Sequence, residues 1–328
     1  MLKTKNMKKI STKFAFFFLL TLFAQSVWSQ ERIIKFNFSV LDESGNAVSG
    51  LKLSDVQILQ DKKNLLLKSI ESNAENPLEV VIMIDASASQ ERMLPFEKKF
   101  AESIIDQILI RGKDKVAIVK FSGEVGLAQD LTDNLSQSKK QLDLIKFEPP
   151  AGYIGGGIIA SQTAPNSKQA VKSSTSIWDS IGEVTKAFAK SKNDKTRQLV
   201  ILISDGVNTY GDSKLKEAIF SSIKTQIPIH AVGIGDDFYD GVDKKTLKKL
   251  TEQVGGILVL PDNKGKNTDK QIAILRTGLR SSYEATLVAN QTASKDSLQE
   301  IKITIVNPEL NKKKLQIIQP KGFIVSDK

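Results

Sequence analysis

The alternation of apolar and polar positions divides the chain into three stretches. Between residues 31 and 70, Ile34, Phe36, Phe38 and Val40 alternate with Lys35, Asn37 and Ser39, the period-two pattern of a strand with one buried face. Asp42-Glu43-Ser44-Gly45-Asn46 supplies a turn, Val56-Gln57-Ile58 opens a second strand, and Asp61-Lys62-Lys63-Asn64 turns again. Strands so few and so short do not make a stable unit alone and need partners from elsewhere in the chain.

From Pro77 the pattern switches to strands alternating with helices. Val80-Val81-Ile82-Met83-Ile84, Val116-Ala117-Ile118-Val119, Leu199-Val200-Ile201-Leu202-Ile203 and residues 229–234 are largely apolar runs, as strands buried on both faces are. Phe96, Phe100, Ile104 and Ile108 recur every four residues and predict a helix that starts near Pro95 and closes at Gly112. Further helical faces are marked by Leu142 and Ile145, by Ile177, Ile181, Val184 and Phe188, by Leu215, Ile219 and Ile223, by residues 243–254, and by Ile272, Leu275 and Leu279. This order predicts an α/β fold, a doubly wound and mostly parallel central sheet covered by helices on both sides. Beyond residue 280 the pattern returns to β in Ala285-Thr286-Leu287-Val288, Ile301-Lys302-Ile303-Thr304-Ile305 and Leu315-Gln316-Ile317-Ile318. The two β ends, 30–77 and 281–328, are therefore expected to pack as one small β-sandwich into which the α/β domain, 78–280, is inserted.

The N-terminus adds a different signal. Lys3, Lys5, Lys8, Lys9 and Lys13 precede an apolar run from Phe14 to Leu20 that continues past Thr21 to Ala24, with Val27 and Ser29 at the −3 and −1 positions of a cleavage site. This predicts a secretory signal peptide over 1–29 with cleavage near Ser29–Gln30, an uncleaved anchor being the alternative; the run is short for a spanning helix. A secreted or periplasmic protein follows, with no transmembrane segment after signal removal. The chain has no cysteine, which excludes an acylated-cysteine lipoprotein and any disulfide framework, so a real core must carry stability. Five of the ten excess positive charges lie in residues 1–29, and the remainder is only mildly basic. Lys244-Lys245, Lys248-Lys249 and Lys312-Lys313-Lys314 read as solvated faces, and no nucleic-acid motif accompanies them.

The candidate chemistry sits where apolar strands end. In Asp85-Ala86-Ser87-Ala88-Ser89 the three polar side chains leave the strand on one side, because side chains alternate. Small oxygen ligands converging there suit a hard divalent cation. Ser204-Asp205-Gly206 ends a second apolar strand, and Ser173-Ser174-Thr175 precedes the helix that begins at Ile177. Ligands of open α/β sheets bind beyond the carboxyl ends of the strands. Taken singly, each of these motifs also reads as an ordinary cap or turn.

Together they resemble the von Willebrand factor type A family and its metal-ion-dependent adhesion site. The D-x-S-x-S motif is matched by Asp85, Ser87 and Ser89, the threonine ahead of a T-x-L-Y-D-A-I-like helix by Thr175, and the S-D-G aspartate by Asp205. The resemblance covers residues 78–280. The stretch from Asp42 to Leu51 is also similar to a D-x-x-G-x-x-V-x-G-L segment that precedes the domain in a secreted bacterial subgroup. The resemblance implies that Ser87, Ser89 and Thr175 bind a cation through hydroxyls while Asp85 and Asp205 act largely through water or hydrogen bonds. It implies Mg²⁺ first, with Mn²⁺ and Ca²⁺ open, and an acidic side chain of a protein partner as the sixth ligand. The expected protein is a secreted, non-enzymatic binding protein. The alternative is an envelope assembly protein whose sandwich is the interface and whose metal site only stabilises it.

Two readings stand for the long loop 148–174: a flexible insertion, or a partner-binding rim formed by Tyr153, Gly155, Gly156 and Gly157. His230, the one histidine, reads as a structural residue, and without cysteine no His/Cys zinc site can be built. No G-x-S-x-G elbow and no phosphate-binding G-x-x-x-x-G-K-[ST] loop is present.

Overall fold

In the computed structural model, which describes residues 32–149, 153–155, 158–159, 174–193, 195–239, 241–289 and 296–325, the two periodicities become an α/β part and a β-sandwich. The expected signal peptide over 1–29, its cleavage point, and Gly156 and Gly157 of the expected rim lie outside the described residues. The described chain opens with β1 (Ile33–Leu41), β2 (Val56–Gln60), β3 (Lys63–Asn64) and β4 (Leu66–Ser72). Asp61 and Lys62, between β2 and β3, both have positive φ (50° and 64°), the pair of left-handed residues a tight hairpin turn requires. The α/β part follows as β5 (Leu78–Asp85), α1 (Leu94–Gln107), β6 (Lys115–Phe121), β7 (Val125–Thr132), α2 (Leu135–Leu144), β8 (Tyr153–Gly155), β9 (Ile158–Ile159), α3 (Ile177–Ala189), β10 (Arg197–Ser204), α4 (Leu215–Thr225), β11 (Ile229–Gly233), α5 (Lys244–Val254), β12 (Leu258–Val259) and α6 (Thr268–Arg280). The chain returns to β through β13 (Tyr283–Val288), β14 (Leu298–Glu300), β15 (Lys302–Ile305), the short α7 (Pro308–Asn311), β16 (Gln316–Ile318) and β17 (Gly322–Ile324).

The central sheet has the order β12-β11-β10-β5-β6-β7. Its neighbours are parallel except for β7, which runs antiparallel along one edge. Alternate residues of β5 feed two cores. Val80, Ile82 and Ile84 pack with Phe100 and Ile104 of α1, Leu142 of α2 and Leu275 of α6, while Val81 and Met83 pack with Ile181 of α3, Ala218 of α4 and Leu247 of α5. That division explains why the strand is apolar at every position. Two strands escape the sequence pattern. β7 is half-exposed along its length, so neither of its faces is cleanly apolar, and β12 has only two residues. The helix α1 stops at Gln107 rather than at Gly112, which has φ +74° in the turn leading to β6.

The sandwich joins both ends of the chain. One sheet has the order β16-β1-β13-β4 and the other β15-β2-β3, with β14 and β17 paired beside them. β1 pairs antiparallel with β13, setting Phe38 opposite Tyr283, and the two rings stack at 5.6 Å. Phe36, Phe38 and Val40 share a buried cluster with Ile58, Leu287, Ile303, Ile305 and Phe323. The one-sided alternation of β1 is thus satisfied by strands more than two hundred residues away.

A buried carboxylate ties together the first strand and the last helix of the α/β part. Asp114, fully buried, accepts from the N–H groups of Leu78 (2.8 Å) and Ile110 (2.6 Å) and pairs with Arg280 at the end of α6. Arg280 also donates to the carbonyl of Ile108 at 3.0 Å. Among the described residues no helix is long and apolar enough to cross a membrane. The position of the functional site follows from the strand order. β5 hands the chain to β6 on one side and β10 hands it to β11 on the other, so the crossovers diverge between β5 and β10. Such a divergence leaves a crevice at the carboxyl ends of those two strands.

Candidate cation-binding site

Asp85 is the last residue of β5 and Ser204 the last of β10, and the parallel register that sets Ile203 opposite Ile84 brings them side by side. Asp85 has no exposed surface. Its Oδ2 accepts from the Ser204 hydroxyl at 2.7 Å and its Oδ1 from the Ser87 N–H at 3.1 Å. The hydroxyls of Ser87 and Ser89 lie 3.3 Å apart, and Ser89 donates to Asp205 Oδ2 at 3.0 Å. Asp205 Oδ1 accepts from the N–H of Val207 at 2.8 Å. Four of the five residues singled out in the sequence are therefore joined in one hydrogen-bonded cluster across the crevice. Thr175, 3% exposed, reaches the same edge through its backbone. Its carbonyl accepts from Thr209 and Tyr210 (2.9 and 3.0 Å), just beyond Asp205, and its N–H donates to the Thr209 hydroxyl.

The capping alternative does not describe these residues. Met93 is the N-cap of α1 and Ser176 that of α3, and neither makes a side-chain cap bond. Ser87 precedes a short 3₁₀ turn, Ala88–Gln90, also without a side-chain cap bond. The hydroxyls of Ser87 and Ser89 instead point at each other and at a carboxylate.

The electrostatics of the cluster call for positive charge. Burial first, and then the charge of Asp205, raises the Asp85 carboxyl above its ordinary value, against the hydrogen bonds from Ser87 and Ser204. Asp205 is raised by burial, opposed by the Val207 N–H and the Ser89 hydroxyl. A third carboxyl belongs to the same neighbourhood. Glu97, in the first turn of α1, is fully buried, neither of its oxygens has a hydrogen-bond partner, and burial followed by the charges of Asp85 and Asp205 holds it well above 4.5. Three buried acids answered only by hydroxyls, N–H groups and one another are short of a cation, and hydroxyl and carboxylate oxygens are the donors a hard divalent ion prefers. The residues present fit such an ion. Among the described residues no three His, Cys, Asp or Glu side chains converge as a metal-holding group; the donors here are mostly hydroxyls.

Glu97 and Ser204 were not singled out from the sequence. A signal for Glu97 exists: counting back three from Phe100 places it on the inward face of α1, where Phe96 is only partly buried. Ser204 could be found only from the register of β10 against β5. Tyr153 of β8 donates to the Glu91 carboxylate, two residues beyond Ser89, which sets that part of the expected rim beside the cluster; Gly155 lies in the same strand. His230 is buried in β11 and accepts from the Ile257 N–H at Nδ1. Burial, then the charge of Arg197, lowers its pKa to about 3. It lines a cavity of about 60 Å³ with Phe38, Arg197 and Phe323, at the opposite, amino-terminal edge of the sheet. That cavity is a seam between sheet and sandwich and no part of the cluster.

Residues 160–301 match the model of the von Willebrand factor type A domain. The match takes in Thr175 and Asp205 and begins beyond Asp85, Ser87 and Ser89. No curated protein matches the chain. Similar solved structures include the conserved hypothetical protein BatB from Bacteroides thetaiotaomicron, 20% identical over 62% of this chain and 100% of that one, with a TM-score of 0.44. Manganese-loaded TRAP protein of Plasmodium vivax is 15% identical over 68% of this chain and 80% of that one, with a TM-score of 0.44. A von Willebrand factor type A structure from Catenulispora acidiphila is 12% identical over 84% of this chain and 71% of that one, with a TM-score of 0.46. At TM-scores below 0.5 these likenesses carry no functional argument.

Proposed function

We propose, from the match of residues 160–301 to the von Willebrand factor type A model, that the chain is a non-enzymatic protein that binds a protein partner through a divalent cation held at Asp85, Ser87, Ser89, Thr175 and Asp205. The observation that carries this reading is the bonded cluster of Asp85, Ser87, Ser89, Ser204 and Asp205 at the crevice between β5 and β10, with its two raised carboxyls and the raised carboxyl of Glu97 in the same neighbourhood.

Each residue has a part. The hydroxyls of Ser87, Ser89 and Thr175 are the neutral donors, and neutral donors leave most of the ion's charge available to a partner. Asp85, held by Ser204 and the Ser87 N–H, fixes the D-x-S-x-S turn and supplies charge from behind. Asp205 orients Ser89 and fixes the loop that follows β10. A bound Mg²⁺ or Mn²⁺ would supply an electrophilic position for a carboxylate of the partner. Glu97 places a third carboxyl beneath the site without touching solvent. With its signal peptide over 1–29 removed, the protein works outside the cytoplasm, and the same proposal divides it into 30–77, 78–280 and 281–328.

Titration calorimetry with Mg²⁺ and Mn²⁺ tests the site, with binding expected for the wild type and lost in Asp85→Ala. Affinity capture from envelope and secreted fractions tests the function. Capture that is equal in chelator and in Mg²⁺, and unchanged by Asp85→Ala, refutes it and favours the sandwich as the working interface.

A further inference from the structure

The loop between β11 and α5 carries the most exposed large apolar side chain among the described residues, Phe238, at 68%. An aromatic ring in water is ordinarily free to move, but this one is held on several sides. Its N–H donates to Asp236 Oδ1 at 3.0 Å, the Arg92 guanidinium lies 5.6 Å from the ring centroid, and Tyr239 packs edge-on at 5.0 Å. Arg92 is itself fixed by its Nε, 3.1 Å from Asp236 Oδ2. A cation over an aromatic face contributes on the order of 0.5–1 kcal/mol at an exposed site, enough to bias the ring toward one pose while leaving it open to solvent.

The place of this ring matters as much as its exposure. Its loop packs directly against the candidate site: a Cβ on Gly235 would come within 3.0 Å of the Asp205 Cβ and 2.5 Å of the Gly241 carbonyl oxygen, so only glycine allows the approach. Arg92 lies three residues beyond Ser89, on the first loop of the cluster. On the other side of Asp205, Val207 and Tyr210 are 36% and 38% exposed. Val207 donates to Asp205 itself, and Tyr210 to the Thr175 carbonyl. Exposed apolar side chains thus bracket Asp205 at the sheet edge where a partner would approach.

We propose that Phe238 is an apolar anchor of the binding face, and that the partner is an acidic segment whose metal-seeking carboxylate lies close to an aromatic or branched aliphatic side chain. This rests on the cation-site reading and deepens it. The occupant follows from complementarity. A cation at the site attracts a carboxylate, while the charge of Arg92 is already answered by Asp236, and a held aromatic ring offers a partner apolar contact at little ordering cost. A carboxylate alone would satisfy the ion and leave the ring in water.

The test pans a random peptide library against the immobilised full chain in Mn²⁺, using wild type, Phe238→Ser and Asp85→Ala. The wild type is expected to enrich Asp or Glu together with an aromatic or aliphatic residue at a fixed offset. Phe238→Ser is expected to lose that offset preference and to bind an enriched peptide roughly tenfold more weakly. Acidic enrichment with no apolar neighbour, or a neighbour preference that survives Phe238→Ser, overturns this inference and leaves the cation site standing. Failure to enrich acidic residues, or enrichment that persists in Asp85→Ala, overturns both. Sedimentation equilibrium without peptide adds one more outcome: a dimer abolished by Phe238→Ser makes a second copy the occupant and also overturns the inference.

Discussion

Replacing Glu97 by glutamine keeps the shape of the side chain and removes one buried titratable carboxyl. Glu97 is fully buried and its oxygens have no partner, so its folded-state pKa stands above 4.5, by burial first and then by Asp85 and Asp205. The sign follows from proton linkage. Below about 4.5 the group is protonated in both states and costs nothing; as pH rises, the unfolded chain releases the proton first and stability falls until the folded pKa is passed. The slope is at most about 1.4 kcal/mol per pH unit for one such group. No solvent screening reduces it, because the group has no exposed surface. Urea unfolding in chelator at pH 4, 5, 6 and 7 is therefore expected to show Glu97→Gln equal to wild type at pH 4 and increasingly more stable toward pH 7. Saturating Mg²⁺ narrows the gap. A ligand at a hundred times its Kd adds about 2.7 kcal/mol, and the variant, lacking a carboxyl that the ion can draw into its charged form, binds it more weakly and gains less. Parallel pH profiles for the two proteins in chelator would refute the reasoning, since they would mean that Glu97 titrates alike in the folded and unfolded chain.

Asp114→Ala removes the acceptor of two N–H groups and the partner of Arg280, and is expected to cost about 3–5 kcal/mol; a loss below about 1 kcal/mol in urea unfolding would show that the α/β part does not depend on it. His230, with its pKa lowered to about 3, stays neutral across the physiological range. Its contribution to stability is present above the ordinary value of 6.5 and is lost as pH falls toward the folded value. Its ring-proton NMR shift is expected to stay flat from pH 8 to pH 5, and a titration midpoint near 6.5 would contradict its burial.

How much of this was legible before the fold is uneven across the site. The runs 80–84 and 199–203 announce buried strands because a strand with a core on each face must be apolar at every position. The hydroxyls of Ser87 and Ser89 stand out because they interrupt such a run two residues apart. β7 left no comparable trace, since an edge strand is half-wet on both faces, and the sandwich partners of β1 could be named as a class but not in register. The exposed Phe238 looked like any loop residue, because its meaning depends on Arg92 from a different strand end.

The sequence by itself determined most elements of the α/β part and their order, the β character of both ends, and five oxygen-bearing residues, four just after apolar strands and Thr175 ahead of a helix. These are local matters, set by period, by chain breaks and by side-chain type. Only the tertiary structure decided that Ser204 bonds Asp85, that Glu97 lies unpaired beside the cluster, and that an aromatic ring is held at its margin. Each of those depends on which strands lie side by side and how deeply a helix turn is buried. Strand pairing and burial are properties of the packed sheet, and no stretch of the chain contains them alone.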